Sequence, residues 1–416
     1  MDLIIDNINQ AIVDTKKQLK KNLPELKGIF KDLESDMKTE VSLIENLIRD
    51  GKAVIPEVNY KAIKKEQVDK TIVAAIKHRG CAVIRNVFPK SQVEDWNDEL
   101  VEYITENGYY EQCQEKAHLD QYFSTLQSGK PQVFGIYWSR PQVLARQDKR
   151  MAKTKSWLNN LWDWKQDAEY GIDANKECTY ADRIRRREPG DSTFGLSPHT
   201  DAGSIERWID KGYQKVYHHV FSGNWSDYDP FDATYRTEIS EIPSPAVSHV
   251  FRTFQGWTAL TEQGPNDGTL KLIPIVRNIV YTLYRALLDD VPEDSLCGAT
   301  PGRALDTSPE WHELPLRGLV SIPNLYPGDT VWWHPDLTHA VEDLHEGNNF
   351  SSVMYIGASP LCKKNSDYLE TQGQRFLAGE SAPDFAAENY EVSYRGRATF
   401  DDLTDLGKKQ MGFMPW

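Results

Sequence analysis

Three His-x-Asp triplets are the residues of this sequence whose types and spacing could do chemistry. They are His118-Leu119-Asp120, His199-Thr200-Asp201 and His334-Pro335-Asp336. In an extended chain residues i and i+2 point to the same face, so one triplet can direct an imidazole and a carboxylate at one ion. A further His from another strand would complete the ligand set of non-haem iron(II) oxygenases. Since the chain holds 10 His, about one triplet is expected by chance, and context must choose among the three.

Two of the triplets lie in an unfavourable context. His118-Leu119-Asp120 lies in a polar stretch that is typical of a helix or a loop. His334-Pro335-Asp336 has a proline at its centre, which interrupts the hydrogen bonding of a strand. The His residues that follow it, His339 and His345, are too near in sequence to come from a separate strand.

The second triplet has the context that a metal site needs. His199-Thr200-Asp201 follows a turn at Pro189-Gly190. Its distant partner is His339, which follows a turn at Pro327-Gly328-Asp329 and a run of strand-forming residues. We therefore predict a mononuclear non-haem iron(II) site held by His199, Asp201 and His339, with its other coordination positions open to substrates. His334 is predicted to have a structural role beside these ligands.

The first half of the chain has the pattern of helices. Apolar residues recur at spacings of three and four from Met1 to about Asp50, with Pro24 dividing the segment in two. We expect a helical N-terminal extension over residues 1–60, packed on a single domain over residues 61–416. The start of that domain predicts a helix over Glu66–Lys77 that Gly80 ends, a strand over Cys81–Ile84 and a helix over Lys90–Glu106.

From about Tyr180 the pattern changes to short runs rich in β-branched and aromatic residues, separated by turns. Helices followed by many short strands predict an α+β chain with a sandwich or barrel core, here over about residues 180–360. A helix over Asn278–Asp290 is inserted, and the tail after Pro360 is helical and then irregular. The predicted strands are Val247–Phe254, Trp257–Thr261, Thr269–Val276, Leu319–Asn324, Thr330–Trp333 and Ser352–Ile356.

Composition excludes several classes of partner. The chain has 48 Lys and Arg against 62 Asp and Glu, a net charge of −14, which argues against nucleic acid and anionic membranes as partners. Five Cys without a CxxC pair predict reduced thiols in a cytoplasmic protein. No apolar run reaches the length of about 18 residues that a membrane span needs. The pattern does not indicate an oligomeric state.

Longer strings of residues resemble known families. Arg79–Phe88, Asn266–Pro274 and Pro327–His339 are similar to segments of the phytanoyl-CoA-hydroxylase-like branch of the iron(II)/2-oxoglutarate oxygenase superfamily. A closer resemblance, which covers most of the chain, is to the YbiU-like family of bacterial and fungal proteins, a domain of unknown function. It rests on Arg185-Arg186-Arg187, Pro189-Gly190-Asp191, His199–Trp208 and Trp332–His339.

This resemblance implies both a fold and an activity. The fold is a double-stranded β-helix, a jelly-roll and cupin-like core, with flanking helices. The activity is that of an iron(II)/2-oxoglutarate-dependent dioxygenase, an oxidoreductase that hydroxylates a small-molecule substrate with O2. The cofactors implied are Fe(II) and 2-oxoglutarate.

The sequence departs from that superfamily at the residue that binds the co-substrate. The superfamily often places an Arg shortly after the distal His, on the last core strand, but Asn348–Tyr355 contains neither Arg nor Lys. A dianionic co-substrate still needs a cation, preferably a guanidinium. We favour Arg252, on the predicted strand Val250–Phe254. The other candidates are Arg277, Lys271 and the cluster Arg183–Arg187, with Ser351 and Tyr355 adding hydroxyl groups.

Three alternatives to the favoured function stay open. They are an iron oxygenase that does not use 2-oxoglutarate, a cupin-like metal-dependent hydrolase or isomerase, and a non-catalytic ligand-binding protein.

Several further side chains are expected beside the ligands or in the pocket wall. They are His334, Arg185, Arg207, Trp208, Trp257 and Trp333.

Overall fold

The computed structural model describes residues 2–116, 119, 131–164, 171–191, 196–245 and 247–416. Its first two helices are α1 (Ile8–Lys21) and α2 (Leu26–Arg49), so the prediction of two helices separated at Pro24 is confirmed. The apolar face of α2, which includes Leu33 and Met37, is buried in a cluster with residues of the second half of the chain. The predicted N-terminal extension therefore packs on the rest of the protein.

The remaining helices surround the strands. Gly80 ends one of them with a left-handed backbone, φ 69°, a conformation that glycine adopts at little cost. The helices are α3 (Tyr60–Lys64), α4 (Lys70–Arg79), α5 (Lys90–Glu106), α6 (Tyr109–Lys116), α7 (Arg140–Arg146), α8 (Lys149–Asn159), α9 (Glu206–Ile209), α10 (Lys211–Val216), α11 (His218–Phe221), α12 (Asn278–Arg285), α13 (Pro309–Leu316), α14 (Lys363–Ala378) and α15 (Asp405–Gln410).

The strands are short and mostly buried. They are β1 (Glu57–Asn59), β2 (Cys81–Arg85), β3 (Val133–Phe134), β4 (Asp173–Glu177), β5 (Ile184–Arg187), β6 (His199–Thr200), β7 (Phe254–Ala259), β8 (Leu270–Leu272), β9 (Leu305–Asp306), β10 (Val320–Ser321), β11 (Thr330–Trp333), β12 (His339–Val341), β13 (Ser351–Ala358) and β14 (Pro360–Leu361).

These strands form a mixed α/β structure with several sheets. Within the described ranges, the larger sheet has the order β1-β2-β11-β7-β13-β5-β3, and a second sheet has the order β10-β8-β12-β6-β9. Strands β4 and β14 form a separate pair. The pairing is antiparallel within both large sheets except between β1 and β2, which are parallel.

One predicted strand is wrong. Of the predicted strand Val247–Phe254 only its last residue is in a strand, because β7 begins at Phe254. The backbone N–H groups before it bond to side chains instead of a neighbouring strand: His249 N donates to Asp384 Oδ2 and Phe251 N to Asn365 Oδ1. Arg252 therefore lies on an irregular segment, not on a strand. Other boundaries shift by a few residues, as in α4, α12 and β8.

No helix in the described ranges has both the length and the apolar character needed to cross a bilayer. All five cysteine thiols are free, and all but Cys113 are buried.

His312, on the helix α13 that packs on α2, makes the fold sensitive to acid. Its ring is fully buried, its Nδ1 accepts the Ser308 N–H at 3.2 Å, and burial lowers its pKa from 6.5 to about 4. As the pH falls below 6.5 the unfolded chain gains this proton before the folded one does. The stabilisation from this residue is therefore complete above pH 6.5 and is lost as the pH falls to 4, by up to about 3 kcal/mol.

We expect His312→Gln to remove this component of acid sensitivity. The free energy of unfolding, measured with urea at several pH values between 4 and 7, should fall less steeply with acid in the variant than in the wild type. Equal slopes for the two proteins in that window would contradict the assignment.

Candidate metal centre and its cavity

The three predicted ligands lie together. His199 and His339 are direct partners in the antiparallel pair of β6 and β12, and their ring centroids are 4.3 Å apart. Asp201 follows two residues after His199, as the period of an extended chain requires. Its two carboxylate oxygens lie 3.6 Å from His199 Nε2 and from His339 Nε2, and the three ligand atoms fit within 4.8 Å of one another.

Both imidazoles are oriented by their other ring nitrogen. His199 Nδ1 lies 2.6 Å from Ser197 O, and His339 Nδ1 lies 3.3 Å from Leu337 O. A carbonyl oxygen can only accept, so Nδ1 carries the proton in each ring and the lone pair of Nε2 is free. This is the arrangement that metal-binding imidazoles usually have in proteins.

The protonation states suit a cation. Burial and, to a smaller extent, the neighbouring His199 lower the pKa of His339 to about 3, so the ring is neutral. Burial alone would raise the pKa of Asp201, but the surrounding imidazoles and the guanidinium groups of Arg252 and Arg183 outweigh it, and its pKa lies below the ordinary value. The neutral imidazole of His339 and the carboxylate of Asp201 are therefore available to a divalent ion, and the Nε2 atom of His199 lies beside them.

The three ligands lie in the wall of a cavity between the two large sheets. It holds about 890 Å³ of empty space, part of it open to solvent. Strands β7, β11 and β13 contribute one wall, and β6, β8 and β12 contribute the other. The rest comes from loops, including a C-terminal segment. Besides the ligands, the lining residues are Tyr180, Asp182, Arg183, Leu196, Ala202, Pro245, Val247, Ser248, Arg252, Gln255, Gly256, Trp257, Leu270, Trp333, Val341, Tyr355, Ile356, Asp384 and Phe385.

The backbone after Asp201 leaves the strand sharply. Ala202 has φ 66° and Gly203 has φ 97°, both in the left-handed region. Tyr213 OH donates to Ala202 O, and Arg207 donates through Nη2 to Asp201 O at 2.7 Å and through Nε to Gly203 O at 3.2 Å. The buried guanidinium of Arg207 thus fixes the backbone at Asp201, the residue that carries the predicted carboxylate ligand.

That guanidinium belongs to a buried ionic network centred on Asp336. Asp336 Oδ1 accepts from Arg207 Nη1 at 2.7 Å, and Asp336 Oδ2 accepts from Arg236 Nη2 at 2.8 Å. The hydroxyls of Tyr217 and Tyr228 each donate to the same carboxylate at 2.9 Å. Although burial acts in the opposite direction, Arg236 and Arg207 hold the pKa of Asp336 well below its usual range.

His334, in the third His-x-Asp triplet, takes no part in the ligand cluster. Its ring stacks on Trp162 at 4.7 Å between centroids, Nε2 donates to Pro230 O at 2.9 Å, and Nδ1 accepts the Asp336 N–H at 3.0 Å. His334 thus packs among these residues and does not line the cavity of the three ligands, where it was also expected. The first triplet, at His118 and Asp120, lies outside the described residues.

Some of the other predicted site residues do reach the cavity. Arg252, Tyr355, Trp257 and Trp333 line it, and the Trp333 ring lies 5.2 Å from that of His339. Arg185 is next to this group, with its guanidinium 5.9 Å from the centre of the Trp257 ring.

Four of the predicted residues lie elsewhere. Lys271 is on β8 next to Leu270, which lines the cavity, so alternation along the strand turns Lys271 to the other face. Arg277 is the N-cap of α12 and acts on Asp36 of α2. Ser351 donates to Gln263 and does not line the cavity. Trp208 is buried in the second core cluster, where its Nε1 donates to Leu283 O.

Some residues of this site have no signal in the sequence. Asp384 and Phe385 reach the cavity from the C-terminal segment, and no motif marks them. Arg236, Tyr217 and Tyr228 complete the Asp336 network, and no local pattern predicts them either.

The protein is thus a mixed α/β chain with a His-Asp-His cluster between two sheets. It belongs to the Gig2-like family, whose model matches residues 6–413. It is 42% identical to YbiU, an uncharacterized protein of Escherichia coli (strain K12), over 404 residues, 97% of this chain and 96% of that one. The predicted relation to the YbiU-like family is confirmed.

Solved structures agree over the whole chain. The crystal structure of a hypothetical protein, JW0805, from Escherichia coli has a TM-score of 0.90 at 40% identity, covering 99% of both chains. That of GlcNAc inducible gene 2, GIG2 (DUF1479), from Candida albicans has a TM-score of 0.82 at 27% identity and covers 100% of this chain and 91% of that one.

Proposed function

We propose that this protein is a non-haem iron(II) and 2-oxoglutarate-dependent oxygenase that hydroxylates a small molecule. The observation that carries the proposal is the pairing of His199 with His339 across two strands, with Asp201 beside them, in the wall of the cavity between the two large sheets. Two imidazoles and one carboxylate on one side of an ion are the ligand set of such oxygenases.

The order of the strands supports a double-stranded β-helix. Along the chain, β5, β7, β11 and β13 belong to the larger sheet, and β6, β8, β10 and β12 belong to the second. The chain therefore crosses from one sheet to the other repeatedly, which is how a jelly-roll core is wound. The wider relation to the phytanoyl-CoA-hydroxylase-like branch is part of this proposal.

The residues at the centre fit iron(II). A nitrogen, nitrogen and oxygen donor set suits a first-row divalent metal, and a fourth protein ligand that would close the site is absent from the His, Cys, Asp and Glu residues of the described ranges. Since all three ligands line the cavity, a bound ion would border space that substrates can enter.

The co-substrate needs a cation, which the neighbouring strand supplies. Residues 348–355, on and just before β13, contain no Arg or Lys, but Arg185 of β5 is the register partner of Val353 on that strand. Arg185 is 3% exposed, its Nη1 donates to Gly268 O at 3.1 Å, and no carboxylate of the described residues forms an ion pair with it. Burial therefore lowers its pKa to about 10. We assign the distal carboxylate of 2-oxoglutarate to Arg185 and the Tyr355 hydroxyl.

Buried donors in the cavity wall support an oxygen-rich ligand. Trp257 Nε1, Trp333 Nε1 and Gln255 Nε2 are buried and make no hydrogen bond to the described residues. Leaving such donors unsatisfied costs about 1–3 kcal/mol each, which a bound dicarboxylate could relieve.

When bound, iron(II) and 2-oxoglutarate supply the activation of O2, which yields succinate, CO2 and an oxidised substrate. The chain's own residues do the rest. His199 and His339 present their Nε2 atoms to the site while backbone carbonyls hold their Nδ1 atoms, and Arg207 fixes the Asp201 peptide. Arg185 anchors the co-substrate from one end, and the indoles of Trp257 and Trp333 exclude water from the wall.

The activity can be tested without knowing the substrate. Anaerobic calorimetry should show 2-oxoglutarate binding only to protein loaded with Mn(II) or Fe(II), and aerobic Fe(II) protein should release succinate slowly. Binding of metal without 2-oxoglutarate would reject the proposal in favour of an iron oxygenase with another co-substrate, or a metal-dependent hydrolase or isomerase. Absence of metal binding would favour a non-catalytic ligand-binding protein.

The assignment of the co-substrate cation predicts the effect of Arg185→Gln. This variant should bind 2-oxoglutarate at least about 10-fold more weakly, since a charge-assisted hydrogen bond contributes about 1.5–3 kcal/mol. It should be no less stable than the wild type, because a buried guanidinium without a carboxylate is costly. Arg186→Gln is the matched control: its side chain lies over the Phe350 ring at 4.1 Å. Equal weakening in both variants would refute the assignment.

A further inference from the structure

Arg252 is the cation of the cavity that the proposed chemistry leaves unused. It lines the cavity, yet none of the hydrogen bonds or ion pairs of the described residues involves its guanidinium. Its contact is with the ring of Tyr180, whose centroid lies 5.1 Å from Cζ. A guanidinium held over an aromatic face keeps its hydrogen-bond donors free for a ligand.

Two of the three acidic residues in the described cavity wall already have a basic side chain as partner. Asp182 Oδ1 lies 3.7 Å from Arg183 Nε, and Asp384 Oδ1 lies 2.7 Å from His249 Nδ1. Asp201 is a ligand of the proposed metal. The charge of Arg252 is thus not offset by a neighbouring side chain of the described cavity wall.

Arg252 and Arg185 lie beside different parts of strand β13. Arg185 is in register with Val353 of β13. Arg252 packs on Gly357 of the same strand, where an added Cβ would lie 3.0 Å from Arg252 Cδ. Four residues of extended chain span about 13 Å, so the two guanidinium groups can hold two different anionic groups.

With iron(II) and 2-oxoglutarate bound, the formal charges of the site would include one positive charge without a negative partner. The two charges of iron(II) and that of Arg185 balance the Asp201 carboxylate and both carboxylates of 2-oxoglutarate. Arg252 then remains, in a cavity whose wall also includes the apolar side chains Val247 and Phe385. One fork-shaped cation in a cavity with apolar lining residues matches a singly charged carboxylate on an otherwise apolar molecule.

We propose that the primary substrate is a small carboxylic acid with an apolar body, and that Arg252 binds its carboxylate. This inference rests on the proposed function, in which Arg185 and not Arg252 holds the co-substrate.

Hexanoate serves as the probe in calorimetric titrations of anaerobic protein loaded with Mn(II) and 2-oxoglutarate. We expect hexanoate to bind the wild type, and hexanamide, its neutral analogue, to bind at least about 10-fold more weakly. Arg252→Gln should lose hexanoate affinity to a similar extent, with unchanged affinity for 2-oxoglutarate, and Arg252→Lys should fall between. Arg375→Gln is the control: it removes an Arg of helix α14 that forms an ion pair with Glu380, and it should behave like the wild type.

Four results would overturn the proposal. They are no binding of hexanoate, equal binding of hexanamide, tighter binding of hexyl phosphate than of hexanoate, and loss of 2-oxoglutarate affinity in Arg252→Gln. If 2-oxoglutarate does not bind the wild type at all, the proposed function fails by itself. Hexanoate titrations of the protein with Mn(II) alone then still decide whether Arg252 selects a carboxylate.

Discussion

The His339→Ala variant is expected to lose its metal ion and keep its fold. The substitution removes one of three ligand atoms. Loss of a group that merely orients a ligand already weakens metal binding about 10- to 100-fold, so affinity for Mn(II) should fall by at least about 100-fold. The side chain lies in a cavity wall and its one weak hydrogen bond, to Leu337 O, is 3.3 Å long. The free energy of unfolding without metal should therefore change little.

The rival triplet supplies the matched control. His334→Ala removes a fully buried ring that stacks on Trp162 and makes two hydrogen bonds. We expect it to lower the free energy of unfolding by about 2–4 kcal/mol while one Mn(II) still binds per chain. Titration of both variants with Mn(II), alongside urea unfolding, separates the two effects. The proposed metal centre is wrong if His334→Ala loses the ion and His339→Ala retains it.

The Asp336→Asn variant should be the least stable of the substitutions considered. It removes the negative charge between two buried guanidinium groups, those of Arg207 and Arg236, which are 0% and 4% exposed. Breaking a buried ion pair by removing one partner costs about 3–5 kcal/mol, and urea unfolding at neutral pH measures it. Asp289→Asn, in an exposed pair with Lys20 and Lys27, should cost no more than about 1 kcal/mol. A comparable loss in the two variants would contradict the importance of the network.

The same network separates stability from metal binding. Arg207 and Arg236 bind the same carboxylate, but Arg207 also donates to Asp201 O. Arg207→Lys and Arg236→Lys should therefore destabilise the fold to a similar extent, and only Arg207→Lys should weaken Mn(II) binding, by about 10- to 100-fold. Parallel losses of metal affinity in both variants would show that the network supports only the fold.

The cluster of His199, Asp201 and His339 could be predicted from the sequence because its geometry is local. The period of an extended chain places His199 and Asp201 on one side, and turns mark the strands that carry them and His339. The helix α5 and the strand β11 were likewise predicted with their observed bounds. In each case the signal lies within a few consecutive residues.

The rest of the site depends on contacts between distant parts of the chain. Arg185 stands beside Val353 only because β5 pairs with β13, a register that neither strand reveals by itself. Arg252 was placed on a strand because its neighbours are β-formers, but side chains from the C-terminal segment occupy the backbone N–H groups there. Asp336 belonged to a discarded triplet, and its two guanidinium partners lie 100 or more residues away.

The left-handed backbone at Ala202 restricts how this family can diverge. Residues with a branched Cβ are strained at φ 66°, whereas Gly, Asn and Asp tolerate that region. Related sequences that drift elsewhere should therefore keep a small or Asx residue directly after the aspartate ligand. A Val or Ile at that position would mark a lineage that has lost this loop conformation and, with it, the proposed metal site.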